Sequence, residues 1–319
     1  MPPSRFIGPM LSSVGDQLHA AYARRAADAP ACSDDDWRRD HLGASVLGHE
    51  CDRFLWLSFR WAVAEQKKGQ TLRLLERGKR EELWVLEDLQ RIGVRVVGTQ
   101  KRVQWGHVGG SCDAILLGVP EAPDVPHLGE IKTSNGKQFA KLVEQGVKRA
   151  KPEHYVQMQV YMHGLGLQWA LYLSVCKDND EIHAERVPYS AKEAQAAIDR
   201  GGRIVAMEDP PARKLDSAFA PCMLTSKDGT QWPCRFWSQC WRGGLPAKNC
   251  RTCVSSSPES DGTWTCDRMN GATLQPDAQR AGCGDHLSIP AIVGHQVVSI
   301  EGRRITYQAA GGEVVEDGQ

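Results

Sequence analysis

The chain has 319 residues, 41% of them apolar, and its 39 Lys and Arg balance 39 Asp and Glu to a net charge of zero. That length supports one large or two modest domains with a proper core, and the balance excludes a chain-wide basic surface, so any nucleic-acid face must be local. No apolar run approaches the ~20 residues that cross a bilayer, and "MPPSRFIGPML" lacks the basic-then-apolar layout of a secretory signal, which predicts a soluble, cytoplasmic protein without a membrane partner.

In chain order, residues 11–90 read as helical: "SVGDQLHAAYARRAAD", "SVLGHECDRFLWLSFRWAV" and "TLRLLERGKREELWVLEDLQRIG", the last with apolar residues at helical spacing. From residue 94 the period drops to two. "VRVVGTQKRVQW" and "CDAILLGV" read as strands joined by the turn "GHVGGS", and "HLGEIKT" as a third. Helices over "KQFAKLVEQGVKRA" and "PEHYVQMQVYMHGLG" follow, then the strand "ALYLSVCK", the strand "EIHAERVPY" across a hairpin, and a last helix, "SAKEAQAAIDRGGRIVAM". This order predicts an α/β core with a mixed central sheet flanked by helices. After residue 209, Pro, Cys, Trp and Gly dominate and the periodicity disappears. That tail reads as too poor in apolar residues for its own core, and so as dependent on metal staples.

Seven of the 11 cysteines lie between Cys222 and Cys283. In a reducing cytoplasm such clustering points to metal and not to disulfides. "CRTC" (Cys250, Cys253), "WTC" (Cys266) and "GCGDH" (Cys283, His286) supply paired knuckles with the spacing of a structural zinc site. Five candidates compete for four places, with Cys266 or Cys283 the ambiguous one.

The chemistry-bearing constellation lies on the central strands. Asp113 follows "GGSC", and Glu130 and Lys132, two apart on one strand, share a face. Two hard oxygen ligands suit Mg²⁺ or Mn²⁺, the Ile131 carbonyl can add a third, and a lysine beside them can orient water or neutralise developing charge. Asp113…Glu130-Ile131-Lys132 resembles the signature of the PD-(D/E)xK nuclease superfamily. "ERGKREE" places Glu82 four residues after Gly78, as RecB-like and lambda-exonuclease-like members place a metal-site residue, with Glu81 a near-equal competitor. "YVQMQVYMHGL" carries Gln157-x-x-x-Tyr161, one helical turn apart, which resembles the Q-x-x-x-Y motif of the same branch; Gln159 is the alternative register. "HLGASVLGHECDRFLW" resembles that branch's S-x-L-x-x-C-x-R segment. The resemblance spans roughly residues 37–240.

It implies a restriction-endonuclease-like fold and a divalent-metal-dependent deoxyribonuclease with Asp113, Glu130, Lys132, Glu82, Gln157 and Tyr161 at its active site. Iron–sulfur members pair the Cys of that segment with a C-x2-C-x5-C trio. Here Cys51 matches the first and Cys234-x5-Cys240 the last two, while Gln231 stands where the remaining Cys belongs and Cys222 is the nearest substitute. A 4Fe–4S cluster or a zinc ion on Cys51, Cys222, Cys234 and Cys240 is therefore expected. Arg38, Arg39, Ser45 and Arg53 fall where lambda-type members grip a terminal 5′-phosphate. Lys137, Lys141, Lys148, Arg149 and Lys151 form a candidate phosphate track.

The expected organisation is an N-terminal helical segment (1–36), a nuclease core (37–208), a Cys-containing closure (209–245) and a zinc-binding module (246–319). The expected activity is a DNA exonuclease of recombination, repair or phage DNA processing, in the host cytoplasm if phage-encoded. A single-strand annealing or other recombination protein is an expected partner, and the oligomeric state stays open. A structure-selective or nonspecific endonuclease on the same core is the alternative enzyme; a non-catalytic nucleic-acid-binding adaptor with a zinc module is the alternative from another class.

Overall fold

The computed structural model describes residues 38–318, apart from 65–66, 214–215 and 227–228, and scattered positions between 14 and 24. The expected N-terminal segment 1–36 thus lies almost wholly outside the described residues. The chain proper begins with β1 (Leu42–Gly43), a 3₁₀ turn (Ala44–Val46), α1 (Asp52–Phe59) and the long α2 (Gly69–Arg91). Four strands follow, β2 (Arg95–Thr99), β3 (Arg102–Trp105), β4 (Val108–Ser111) and β5 (Ala114–Leu117), then β6 (His127–Ser134). Next come α3 (Gly136–Ala150), α4 (Pro152–Leu165), β7 (Trp169–Cys176), β8 (Ile182–Pro188) and α5 (Ala191–Ala206).

The central sheet has the order β2-β5-β6-β7-β8. Only β6 and β7 run parallel; the other neighbours are antiparallel. The mixed sheet expected from the sequence is therefore present. Alternation sorts its side chains. On β7, Leu171, Leu173 and Val175 pack with Ile131 against Val85 and Leu89 of α2. Ala170 and Tyr172 face the other way, into a larger core with Leu128 and with Met158 and Met162 of α4. Glu130 and Lys132 share the parity of Leu128, so α4 looks down on them.

Local signals set the element ends. Asn135 caps α3 by accepting from Gln138 N at 2.9 Å, and Pro152 opens α4, whose C-cap is Gly166 at φ 67°. Seven residues of α4 are buried, Tyr155 and the run Gln157–Met162, so it is a core helix.

Three expectations need correction. "VRVVGTQKRVQW" is not one strand, and "GHVGGS" is not all turn: Gln100 sits at φ 50°, and the chain passes from β2 in the central sheet to β3, which pairs with β4 (Val108–Ser111, inside "GHVGGS") in a small sheet of order β1-β4-β3. The helix over "KQFAKLVEQGVKRA" breaks at Gly146 (φ 70°), a left-handed conformation suited to glycine, and Glu185 accepts from Val147 N at 2.8 Å to restart it. The third correction concerns the tail. It forms a hairpin of β9 (Met223–Thr225) and β10 (Gln231–Pro233), α6 (Trp237–Trp241) and a 3₁₀ turn (Cys250–Thr252). A small sheet of β11 (Ser256–Pro258), β12 (Trp264–Cys266) and β13 (Ala272–Thr273) comes next, then α7 (Pro276–Ala281) and α8 (Pro290–Val293). The tail ends in a meander of β14 (Gln296–Glu301), β15 (Arg304–Gln308) and β16 (Val314–Gly318). Trp264, Leu274, Ile289 and Ile292 join the main core, while Val293, Ile305 and Tyr307 form a small one. The tail therefore does bury apolar surface, largely against the main core. Among the described residues, no helix is long and apolar enough to cross a membrane.

Candidate active site

Asp113 stands at the joint between the small sheet and β5, where the chain leaves β4 for the central sheet. Its Oδ2 accepts from Ile131 N at 2.9 Å, which pins the carboxylate beside β6. Lys132 Nζ lies 3.7 Å from the same oxygen, in close ion-pair contact with Glu130, and donates to the Ile131 carbonyl at 3.3 Å. Glu130 is 0% exposed, and neither of its oxygens receives a well-aligned hydrogen bond.

Burial pushes the Glu130 carboxyl well above the usual carboxylate range; Lys132 draws it down, and Asp113 and Glu82 push it further up. Burial pulls on Lys132 the other way, but the Glu130 and Asp113 charges outweigh it and hold the ammonium above its ordinary value. A fully buried carboxylate is costly even beside the Lys132 ammonium. Its remaining acceptor capacity, beside a second carboxylate, is what a hard divalent cation would satisfy, so the donor set fits Mg²⁺ or Mn²⁺.

The sequence motifs on α2 and α4 converge here too. Gln157 and Tyr161 are buried and line the cleft that holds Asp113 and Lys132. The Tyr161 hydroxyl lies over Gly110, where an added Cβ would come within 2.6 Å of it. Burial first, then Glu130 and Asp113, raises the Tyr161 hydroxyl's pKa, so it stays a neutral donor. Gln159 is turned away from this cleft, donating to Pro188 O at 3.0 Å and accepting from Ser190 N at 2.7 Å. Glu82 is close enough to oppose the charge of Glu130 and accepts from Gln100 Nε2 at 3.4 Å. Glu81 faces a separate cleft with Trp84 and Asp180.

The cleft has a volume of about 630 Å³ and is basic despite the neutral chain: Arg38, Arg39, Lys79, Arg102, Lys132 and Arg280 line it against Asp40 and Asp113. Its two histidines register that field. Burial, then Arg102 and Arg39, lowers His41 to about 4; burial, then Lys132 and Lys151, lowers His154 to about 3. His154 Nδ1 is 2.8 Å from the Tyr172 hydroxyl. Sequence reasoning missed Lys79, Gln100, Arg102, His154 and Arg280. Lys79 sits three residues before Glu82 on α2, a helical spacing that signals a shared face. Arg280 comes from the tail, and no local pattern announces it.

Other expected DNA contacts separate. Ser45 lines the cleft with Arg38 and Arg39. Arg53 does not: it is buried, donates to Pro211 O at 2.9 Å and lies beside the Cys240 thiol. Lys137, Lys141, Lys148 and Arg149 are exposed on α3 but line no part of this cleft. Lys148 pairs with Glu193 at 2.8 Å, and Lys151 donates to Gln138 at 2.7 Å.

Cys51, Cys222, Cys234 and Cys240 line one small apolar cavity with His49, Phe54 and Phe236, and Cys222 O accepts from Cys234 N at 2.8 Å. Gln231, where the sequence pattern lacks its cysteine, is exposed on β10. Burial, then Cys240, Cys51 and Cys222, raises the Cys234 thiol, so the four sulfurs are neighbours. In the tail, Cys250 has Cys253, Cys266 and Cys283 around it. His286 is instead turned to the Thr252 hydroxyl, at 3.0 Å from its Nε2. As they stand, no three His, Cys, Asp or Glu side chains among the described residues are gathered tightly enough to hold a metal ion.

No family model matches the sequence, and no curated protein matches it. Among solved structures, the chain is similar to LHK-Exo in complex with dAMP, at 20% identity and a TM-score of 0.41, over 53% of this chain and 88% of that one. A second structure of the alkaline exonuclease LHK-Exo, from Laribacter hongkongensis, is similar at 19% identity and a TM-score of 0.37, over 53% and 90% of the two chains. The protein SSO0001 is similar at 14% identity and a TM-score of 0.35, over 59% and 85%.

Proposed function

We propose that the chain is a Mg²⁺- or Mn²⁺-dependent nuclease that hydrolyses DNA phosphodiester bonds, working from ends as an exonuclease on a restriction-endonuclease-like core. The observation that carries this reading is the Glu130 carboxylate, wholly buried with two oxygens lacking aligned donors, beside Asp113 and Lys132 in a cation-rimmed cleft. Asp113 and Glu130 would hold the ion, with the Ile131 carbonyl and Glu82 at its margin. A divalent cation held there polarises a phosphate oxygen and makes water a better nucleophile.

The chain's own groups do the rest. The charges of both carboxylates raise the Lys132 ammonium above its ordinary value. It acts as a cationic donor that orients the attacking water or neutralises the charge developing on phosphate. Tyr161 and Gln157 are neutral donors positioned by the packing of α4. The basic wall holds successive phosphates, and Arg38, Arg39 and Ser45 offer a terminal phosphate a charged pocket. Cys51, Cys222, Cys234 and Cys240 hold a thiolate-bound centre, iron–sulfur or zinc, that ties α1 to the chain after α5. Their common cavity supports this.

The test is Mg²⁺-dependent digestion of linear and covalently closed circular duplex. Linear DNA is expected to be degraded and closed circles to survive. Rapid linearisation of closed circles would make the protein an endonuclease, and inertness toward both would remove the nuclease reading.

A further inference from the structure

The helix α4 presents three polar side chains to the cleft, and the third is His154. It precedes Gln157 by three residues, and Tyr161 follows Gln157 by four, so all three stand on one helix face. All three line the cleft with Asp113 and Lys132. Met158 and Met162, on the neighbouring strip of the helix, go into the main core instead.

The imidazole is held from beneath. Its Nδ1 is 2.8 Å from the Tyr172 hydroxyl, with the two rings inclined at 35° and their centroids 5.8 Å apart. Tyr172 is paired with Glu130 in the parallel register of β6 and β7, and it is 0% exposed. A hydroxyl sealed in that way cannot give its proton to bulk water. Among the described residues, the His154 nitrogen is its hydrogen-bond partner. Burial raises the phenol above its ordinary value, so it keeps a proton to donate.

Two tautomers of the ring compete. If Nδ1 carried the proton and donated to the phenol oxygen, the phenol O–H would be left buried without an acceptor. That loss disfavours the arrangement by about tenfold or more. With the phenol as donor, Nδ1 accepts and the ring proton sits on Nε2. Nε2, across the ring from Tyr172, is not sealed from the cleft that His154 lines. Burial first, then Lys132 on β6 and Lys151 at the start of α4, opposes a second proton, so the ring is neutral.

We propose that His154 is a substrate-contacting residue whose Nε2–H donates to a phosphate oxygen of the DNA strand in the cleft, and that Tyr172 is the positioning residue that keeps the proton on that nitrogen. A neutral donor suits this place. Phosphate oxygens accept, and Lys132 already supplies the positive charge. The contact rests on the nuclease reading; the tautomer does not.

Nitrogen-15 and proton correlation spectra of the full chain, labelled at histidine, test the tautomer, the His154 signals being those lost in His154→Gln. The Nε2-protonated form is expected in wild type, and a mixture of both forms in Tyr172→Phe. A wild-type ring protonated on Nδ1 would overturn the assignment. Contact with DNA is tested by fluorescence anisotropy of a labelled duplex in EDTA, where no metal supports cleavage. His154→Ala is expected to bind about tenfold more weakly, as loss of a hydrogen bond to a charged group implies. His154→Gln, whose amide N–H has a similar reach, is expected to recover most of that affinity. With Mg²⁺ present, the losses in His154→Ala and Tyr172→Phe appear in KM more than in kcat. Unchanged affinity in His154→Ala, or no recovery in His154→Gln, would overturn the contact, and a wild-type KM in Tyr172→Phe would overturn the positioning role. A wild type that neither binds nor cuts DNA would sink the nuclease reading and the contact with it, while the tautomer is read without DNA.

Discussion

The central sheet and the tail reach order by different routes. Between Arg95 and Pro188, backbone ladders and strict alternation do the organising: one parity of β7 faces α2, the other faces α4, and Glu130 and Lys132 inherit their position from that pattern. Between Cys250 and Ser288 the strands have only two or three residues, and long-range side chains do the work. Trp264 is 1% exposed and sits 5.3 Å from the Phe59 ring, while Arg251 reaches across to Trp61, Phe59 and Asp40. A ladder specifies a site through local periodicity. A clamp of arginine and tryptophan specifies it through contacts that no window of sequence contains.

The largest effect that would break this comparison is on stability. Trp264→Ala is expected to cost about 3–5 kcal/mol, as truncation of a buried aromatic does, and to lower the unfolding temperature of the whole chain in one transition. A separate, earlier melt of the tail that leaves the core's transition in place would show that residues after 246 are an independent domain.

The difference also explains what the sequence could disclose. The mixed sheet was legible because "HLGEIKT" and "ALYLSVCK" carry their alternation on their face; that Asp113, Lys132, Gln157 and Tyr161 line one cleft, with Glu130 against Lys132, was implied by the family resemblance and not by spacing alone. The split at Gln100 was not legible: "VRVVGTQKRVQW" keeps its two-residue period through a residue whose left-handed backbone only tertiary pairing requires. Arg53 misled for a related reason. The resemblance places it, like Ser45, where a terminal phosphate is gripped, but α1 turns its guanidinium toward Pro211 and Cys240. Arg280 belongs to neither motif nor period, and its place depends on α7 docking under Asp40.

A second effect, of middle size, sharpens the contrast through pH. Burial holds Glu130 protonated to a higher pH than an ordinary carboxylate. A divalent ion binds the ionised form, so protonation competes with it. Metal affinity is therefore expected to fall by about tenfold per pH unit below the raised Glu130 value. The fall begins above the ~4.3 of an unperturbed glutamate. Isothermal titration with Mn²⁺ across that range checks it; affinity that is flat down to the ordinary carboxylate range would mean Glu130 is not a ligand.

The smallest expected effect concerns α3. Lys137 and Lys141 are exposed and outside the cleft, so Lys137→Ala with Lys141→Ala should change DNA affinity by less than about threefold and barely alter its salt slope. A slope reduced by about two would place the phosphate track on α3 after all.

The central claim is that Asp113, Glu130 and Lys132 form a metal-dependent hydrolytic centre. The most direct measurement is Mg²⁺-dependent cleavage of end-labelled linear DNA by wild type and Lys132→Ala, with DNA binding followed in parallel. The account predicts that Lys132→Ala loses at least about 100-fold in cleavage rate while retaining its fold and most of its DNA affinity. Cleavage by Lys132→Ala at the wild-type rate would contradict it.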